Sequence, residues 1–345
     1  MRAVTIRSNG GPEVVLVEDV PRPAVEGPDD VVVALAAAAL NRLDLFVVEG
    51  LPGKKPPFPH VLGADGAGVV EAVGAGVTRF RAGDRVLLDP GVSCRACEYC
   101  LAGEQSLCRT YRILGEHLPG TFAEAVRVPH WNVHPLPDGV AWAAAAAFPL
   151  VHLTAWRMLA TRAAVRPGET VLIWGIGGGV ALAALGIAKL LGAVVAVTSS
   201  SDAKLERARA LGADLALNHA TADVAREVRS FTGGRGADVV VDSVGEATWE
   251  KSLRALAPGG RLVTCGGTSG PKVVTDLRRV FWYQQSILGS TMGNAREFAE
   301  ILHLLAAGRL KPVVDGVTPL ADARGAFERL AAGAHFGKLV LDISA

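Results

Sequence analysis

The sequence predicts an α/β protein of two domains, one built of short β-strands and one a doubly wound parallel sheet. Three observations predict it. The chain has 345 residues, beyond the size at which a single hydrophobic core keeps growing. From Met1 to about residue 150, short β-like runs are broken by Gly and Pro. Beyond about Thr154, apolar runs alternate with helical segments, the pattern of strands covered by helices on both faces.

The elements follow in order. Met1–Arg7 alternates like a first strand, and Val14–Val17, Asp30–Ala36, Ala67–Val73, Asp84–Leu88 and Ala123–Val128 read as further strands. Gly10-Gly11-Pro12, Arg81-Ala82-Gly83-Asp84 and Pro137-Asp138-Gly139 supply turns between them. This first part reads as mostly antiparallel. In the second part, strand Thr170–Trp174 runs into a glycine cluster and then helix Val180–Leu191. Strand Val194–Thr198, helix Asp202–Leu211, strand Asp214–Leu217, helix Val224–Phe231 and strands Ala237–Asp242 and Arg261–Cys265 follow. The tail holds helix Ala295–Ala307 and a last strand, Lys338–Ile343.

Composition excludes some classes of function. The formal net charge is +1, which gives no electrostatic case for nucleic acid. The longest apolar run, Val140 to Val151, contains Pro149 and is too short to span a bilayer. The N-terminus lacks the apolar core of a signal peptide. These features predict a cytoplasmic protein with no nucleic-acid or membrane partner.

Four of the five cysteines form one cluster, Cys94, Cys97, Cys100 and Cys108, spaced C-x2-C-x2-C-x7-C. Four thiolates complete a tetrahedral zinc and leave no open position, so such a site holds a loop together and does no chemistry. Two disulfides are the competing reading, and they need an oxidising compartment. The spacing therefore predicts one structural zinc, and the reaction must be sought elsewhere.

Strand Val171-Leu172-Ile173-Trp174 leads into Gly175-Ile176-Gly177-Gly178-Gly179-Val180 and a helix. Glycines there allow a tight turn and bring backbone N–H groups to a pyrophosphate at the helix N-terminus. An ordinary strand–helix turn is the alternative. An NAD site usually places Asp or Glu after the second strand, to bind the ribose 2′-OH. Here that strand ends Thr198-Ser199-Ser200-Ser201, with Lys204 soon after. Hydroxyls and a lysine suit a 2′-phosphate, so NADP(H) is predicted over NAD(H). Asp202 is the nearest acid, expected either to cap the following helix or to meet a ribose.

Taken together, the chain resembles the medium-chain dehydrogenase/reductase superfamily, the group of zinc alcohol dehydrogenases and quinone oxidoreductases. The resemblance is carried by the cysteine lobe, Leu62-Gly63-Ala64-Asp65-Gly66-Ala67-Gly68-Val69-Val70, Gly120-Thr121-Phe122-Ala123-Glu124, Leu153-Thr154-Ala155-Trp156, the glycine turn and Phe336-Gly337-Lys338. It implies a GroES-like catalytic domain from both chain ends, residues 1–152 and 290–345, with the zinc lobe at about 91–112. A Rossmann domain, residues 153–289, lies between them in sequence. It also implies cofactor contacts from Thr154, Gly175, Ile176, Gly178, Gly179, Val180, Ser199, Ser200, Lys204, Gly266, Gly267 and Lys338, and a homodimer or homotetramer.

The departures from the family pattern point to the chemistry. The resemblance places the ligands of a catalytic zinc at positions 41, 64 and 150, which here hold Asn41, Ala64 and Leu150. A catalytic zinc needs three protein ligands and an open position, so no catalytic metal is expected. Another route to a metal site is convergence of His60, Asp65, His117 and His152. Asn41-Arg42-Leu43-Asp44 is similar to the zinc-free quinone oxidoreductase branch. Asn41 and Asp44 are thus the candidate catalytic residues, Asn41 as a donor to the substrate carbonyl or cofactor and Asp44 as its orienter. A turn at a strand end is their structural alternative. The predicted function is NADPH-dependent hydride transfer to a quinone or α,β-unsaturated carbonyl. An alcohol dehydrogenase or carbonyl reductase is the second reading, and a non-enzymatic NADPH-binding protein the third.

Overall fold

The computed structural model describes residues 1–51 and 57–344. The chain divides into two compact units, Met1–Leu150 with Asn294–Ala345, and Val151–Gly293. It is a mixed α/β fold: a β-rich GroES-like unit and a unit built on a parallel Rossmann-type sheet.

The first unit is centred on the ten-residue strand Asp30–Ala39. Strand Asp65–Val73 pairs antiparallel along one edge and the final strand, Lys338–Asp342, along the other. The register sets Ala39 opposite both Asp65 and Val340. Residues far apart in sequence therefore meet at one end of this strand. Gly68 faces Ala34 so closely that a Cβ would lie 2.0 Å from the Ala34 carbonyl oxygen. Gly63, at φ +101°, would drive a Cβ to 2.3 Å from the Phe122 ring. Those contacts account for glycines in the Leu62–Val70 segment. The core behind them joins Val4, Leu40, Leu62, Phe122, Phe327 and Leu341. Phe122 and Phe327 meet edge to face, with centroids 6.1 Å apart.

The second unit carries a six-stranded parallel sheet. Its spatial order is Leu215–Asn218, Val194–Ser199, Thr170–Ile173, Ala237–Val241, Leu256–Thr264, Ser286–Gly289. In chain order this is 3-2-1-4-5-6, the dinucleotide-binding arrangement, whose switch point follows the first strand. Val171, Leu172, Ile173, Val195, Val239 and Val240 are fully buried, as strands covered on both faces require.

Several elements differ from the sequence expectation. Val14–Val17 divides into a 3-10 turn, Pro12–Val14, and a strand, Leu16–Asp19. The strand expected at Arg261–Cys265 begins at Leu256. Within residues 1–150 the strand pairs are antiparallel, as expected, and the tail adds Val314–Pro319, which runs parallel to Lys338–Asp342. Arg42–Glu49 is a helix, where the sequence suggested a turn. Asp202 does not cap its helix. Ser201 occupies that place and accepts from the Lys204 N–H, while Asp202 accepts from Asn218 Nδ2 at 2.8 Å. Among the described residues, no helix is long and apolar enough to cross a membrane.

Candidate active site and metal lobe

The cysteine lobe is compact. The four Sγ atoms all lie within 4.8 Å of one another, and Cys94 and Cys100 are 3.9 Å apart. Ligands at the corners of a zinc tetrahedron stand about 3.8 Å apart, so the donor set fits that ion. Arg95 adopts φ 60°, which folds the chain back between Cys94 and Cys97. The Cys97 N–H then donates to Cys94 Sγ, and the Cys94 N–H to Cys108 Sγ, both at 3.3 Å. Backbone N–H groups hold the Cys94 and Cys97 thiols below their ordinary range, favouring the thiolate a metal needs. Gln105 Oε1 accepts from the Ala295 N–H at 3.2 Å, tying the lobe to the helix Ala295–Ala306.

In the second unit, the glycine turn sits at the switch point. Gly175 and Gly177 have φ of 69° and 124°. The turn is pinned by the Ile176 N–H on the Thr198 carbonyl at 2.7 Å and the Gly175 N–H on Thr198 Oγ1 at 3.2 Å. Helix Gly179–Leu190 starts at Gly178 with no side-chain cap. The first-turn N–H groups of such a helix lack intrahelical partners and attract an anion. A Cβ at Gly175 or Gly178 would meet nothing closer than 3.8 Å, so the front of the turn is open to a pyrophosphate. Gly266 and Gly267 follow strand Leu256–Thr264. Ser199 ends the second strand, buried, with its Oγ accepting from the Ser201 N–H. Ser200 is exposed and Lys204 half-buried. Thr154 is buried in helix Pro149–Trp156, its Oγ1 lying 3.8 Å from Met292 Sδ.

The third constellation lies wholly in the first unit. Asn41 precedes helix Arg42–Glu49, and its N–H donates to Asp44 Oδ2 at 2.7 Å. Asp44 therefore closes a capping box. Burial pushes its carboxyl up to about 7. The Asn41 Nδ2 group donates to Asp65 Oδ2 at 2.9 Å and to the Ala39 carbonyl at 3.3 Å. The Lys338 ammonium donates to Asn41 Oδ1 at 2.5 Å and to Asp65 Oδ2 at 2.9 Å. Asp65 Oδ1 accepts from the Leu150 N–H at 2.8 Å, and the Asp65 carbonyl accepts from Thr121 Oγ1 at 2.7 Å. The Lys338 and Asp65 side chains are 4% and 0% exposed.

This geometry bears on two of the residues singled out in the sequence. Asn41 has both amide hydrogens committed within the protein, so it is not a free donor to substrate. Lys338, expected among the cofactor contacts, has its ammonium in a buried ion pair with Asp65. The Asp65–Lys338 pair was missed because 273 positions separate the partners in sequence, and only the sheet register unites them. Within the first unit, two of the other candidate ligands are engaged elsewhere. His60 Nε2 lies 2.9 Å from the Gly115 carbonyl, and His117 Nδ1 accepts from the Ile113 N–H at 3.2 Å. Among the described residues, the four cysteines are the one set of His, Cys, Asp or Glu side chains gathered closely enough to hold a metal.

Comparison with known proteins agrees with this architecture. Residues 27–138 match the alcohol dehydrogenase GroES-like domain and residues 179–307 the zinc-binding dehydrogenase family. An alcohol dehydrogenase of Geobacillus stearothermophilus is 32% identical, over 95% of this chain and 96% of that protein. A quinone oxidoreductase of Pseudomonas aeruginosa is 34% identical, over 99% of each. A crystal structure of an NAD-dependent alcohol dehydrogenase superposes with a TM-score of 0.96 and 49% identity, covering 100% of both chains.

Proposed function

Because this chain belongs to the medium-chain dehydrogenase/reductase superfamily, we propose that it is an NADPH-dependent reductase of quinones or α,β-unsaturated carbonyls. One observation carries the reading. Where the family resemblance puts three metal ligands, the chain has Asn41, Ala64 and Leu150, and the Asn41 side chain is bonded instead to a buried ammonium. The reduced nicotinamide, when bound, supplies the hydride. The protein's part is to bind, orient and polarise. The uncapped helix at Gly178 takes the pyrophosphate, and Ser199, Ser200 and Lys204 take the 2′-phosphate. A quinone or enone delocalises the charge it gains, so it needs less Lewis-acid help than an alkoxide. Cys94, Cys97, Cys100 and Cys108 hold one zinc in a structural role. A screen of NADPH oxidation with a quinone, an enone and a simple aldehyde tests the reading. Turnover of the quinone or enone well above the aldehyde is expected. A preference for the aldehyde would favour the alcohol dehydrogenase reading, which the names of several relatives support.

The cofactor assignment has its own test. NADPH is expected to bind more tightly than NADH in a fluorescence titration. An aspartate at the end of the second strand repels a 2′-phosphate but not a 2′-OH. Ser199→Asp is therefore expected to weaken NADPH about tenfold or more, ~1.4 kcal/mol, and to leave NADH within a few fold. Wild-type protein that prefers NADH would overturn the assignment and align this chain with the NAD-dependent neighbour.

A further inference from the structure

We propose that the Lys338 ammonium, clamped by Asn41 and Asp65, is the hydrogen-bond donor to the substrate carbonyl oxygen. The inference rests on the quinone and enone reductase reading above and names the group that polarises the substrate in it.

Donor counting leads to this residue. An ammonium has three N–H donors. Two are taken, by Asn41 Oδ1 and Asp65 Oδ2. Among the described residues, the third has no acceptor within hydrogen-bond distance, although the side chain is only 4% exposed. Buried donors are normally satisfied, and a ligand oxygen would satisfy this one. The neighbours are unsuited to the task. Asn41 has spent both amide hydrogens, Asp65 is the acceptor of the ion pair, and Leu150 commits its N–H to Asp65. The clamp also fixes the ammonium in advance. Asp65 is itself held by Leu150, Thr121 and Asn41, so the donor is oriented before any substrate arrives, which is what makes such groups effective.

The step balances simply. Hydride from the reduced dinucleotide forms a bond to the β-carbon of the acceptor. The carbon–carbon π pair becomes the Cα–C double bond of the enolate, the C=O π pair moves to the oxygen, and the enolate takes a proton from water at the α-carbon. The dinucleotide is oxidised and the acceptor reduced. Lys338 transfers no proton; it donates a charge-assisted hydrogen bond, which strengthens as negative charge grows on the oxygen.

The experiment compares two competitive inhibitors in the presence of NADP+, a halogenated phenolate and its methyl ether. The phenolate copies the developing oxyanion and the ether does not. Wild-type protein is expected to bind the phenolate about tenfold or more tighter than the ether, the discrimination one charged donor gives. Lys338→Met alone strands the Asp65 charge, so the principal variant is the pair Lys338→Met with Asp65→Asn. The pair should bind both inhibitors equally and lose about 100-fold in kcat/KM, as for removal of one oxyanion donor, with the Kd for NADPH unchanged. Lys338→Gln with Asp65→Asn, which restores a neutral donor, should recover part of the preference. A phenolate preference that survives in the Met pair would overturn the proposal, and so would a loss of NADPH binding equal to the loss of activity, since Lys338 would then serve the cofactor. Wild-type protein that reduces neither quinone nor enone would overturn the reaction, while the inhibitor ratio would still judge Lys338.

Discussion

Lys338→Met is expected to lower the unfolding free energy by about 3–5 kcal/mol, because it leaves one charge of a buried pair uncompensated. Asp65 has no exposed surface and cannot recover solvation without opening the sheet. Strand Asp30–Ala39 lies between the strands that supply the two charges, so any such opening disturbs the centre of the first unit. Adding Asp65→Asn removes the stranded charge and is expected to return most of the loss, since a neutral pair of similar shape costs little. Urea denaturation near pH 7 measures both variants. The single variant should shift the midpoint downward at constant slope, and the pair should lie close to wild type. A single variant as stable as wild type would mean that Asp65 is neutralised without the ammonium.

The second large effect concerns the lobe. Cys97→Ser is expected to reduce zinc from about one per chain to nearly none and to unfold the segment between Cys94 and Cys108. Structural zinc contributes on the order of 10 kcal/mol to the peptides that bind it. Apart from the metal, the lobe is ordered by small features: two short helical turns, Glu98–Leu101 and Gln105–Leu107, the two-residue ladder of Gly91–Val92 with Arg112–Ile113, and an exposed Arg109–Glu98 pair. Its Gln105 contact to the Ala295 N–H should be lost with it. Metal analysis and limited proteolysis check this, with cleavage expected inside the lobe while NADPH still binds. A variant that keeps its zinc and resists cleavage would show that Cys97 is not a ligand.

The sequence was most legible where structure is local. The glycine turn, the strand–helix alternation after residue 170 and the cysteine spacing each depend on neighbours within about one element, and each has a pattern with a physical cause. Short elements were less legible. Helix Arg42–Glu49 was hidden because Asn41 and Asp44 look alike in a turn and in a capping box. Ser201 and Asp202 are both good caps by type, and only the backbone path chose the serine. Least legible was the charge pair at the centre of the site. Asp65 and Lys338 each lie in a segment that marks the family, yet their contact depends on two strand registers around Ala39. No periodicity in the sequence encodes that meeting. Its consequence reverses a role, because Asn41 holds the donor and is not itself the donor.

Zinc content set against activity separates a structural metal from a catalytic one. Purified protein is assayed for bound zinc and for NADPH-dependent quinone reduction, before and after brief exposure to a strong chelator. About one zinc per chain, held by the four cysteines, is expected, with undiminished quinone reduction in the treated sample while its fold persists. Two zinc ions per chain, together with oxidation of simple alcohols that the chelator abolishes, would contradict the structural assignment.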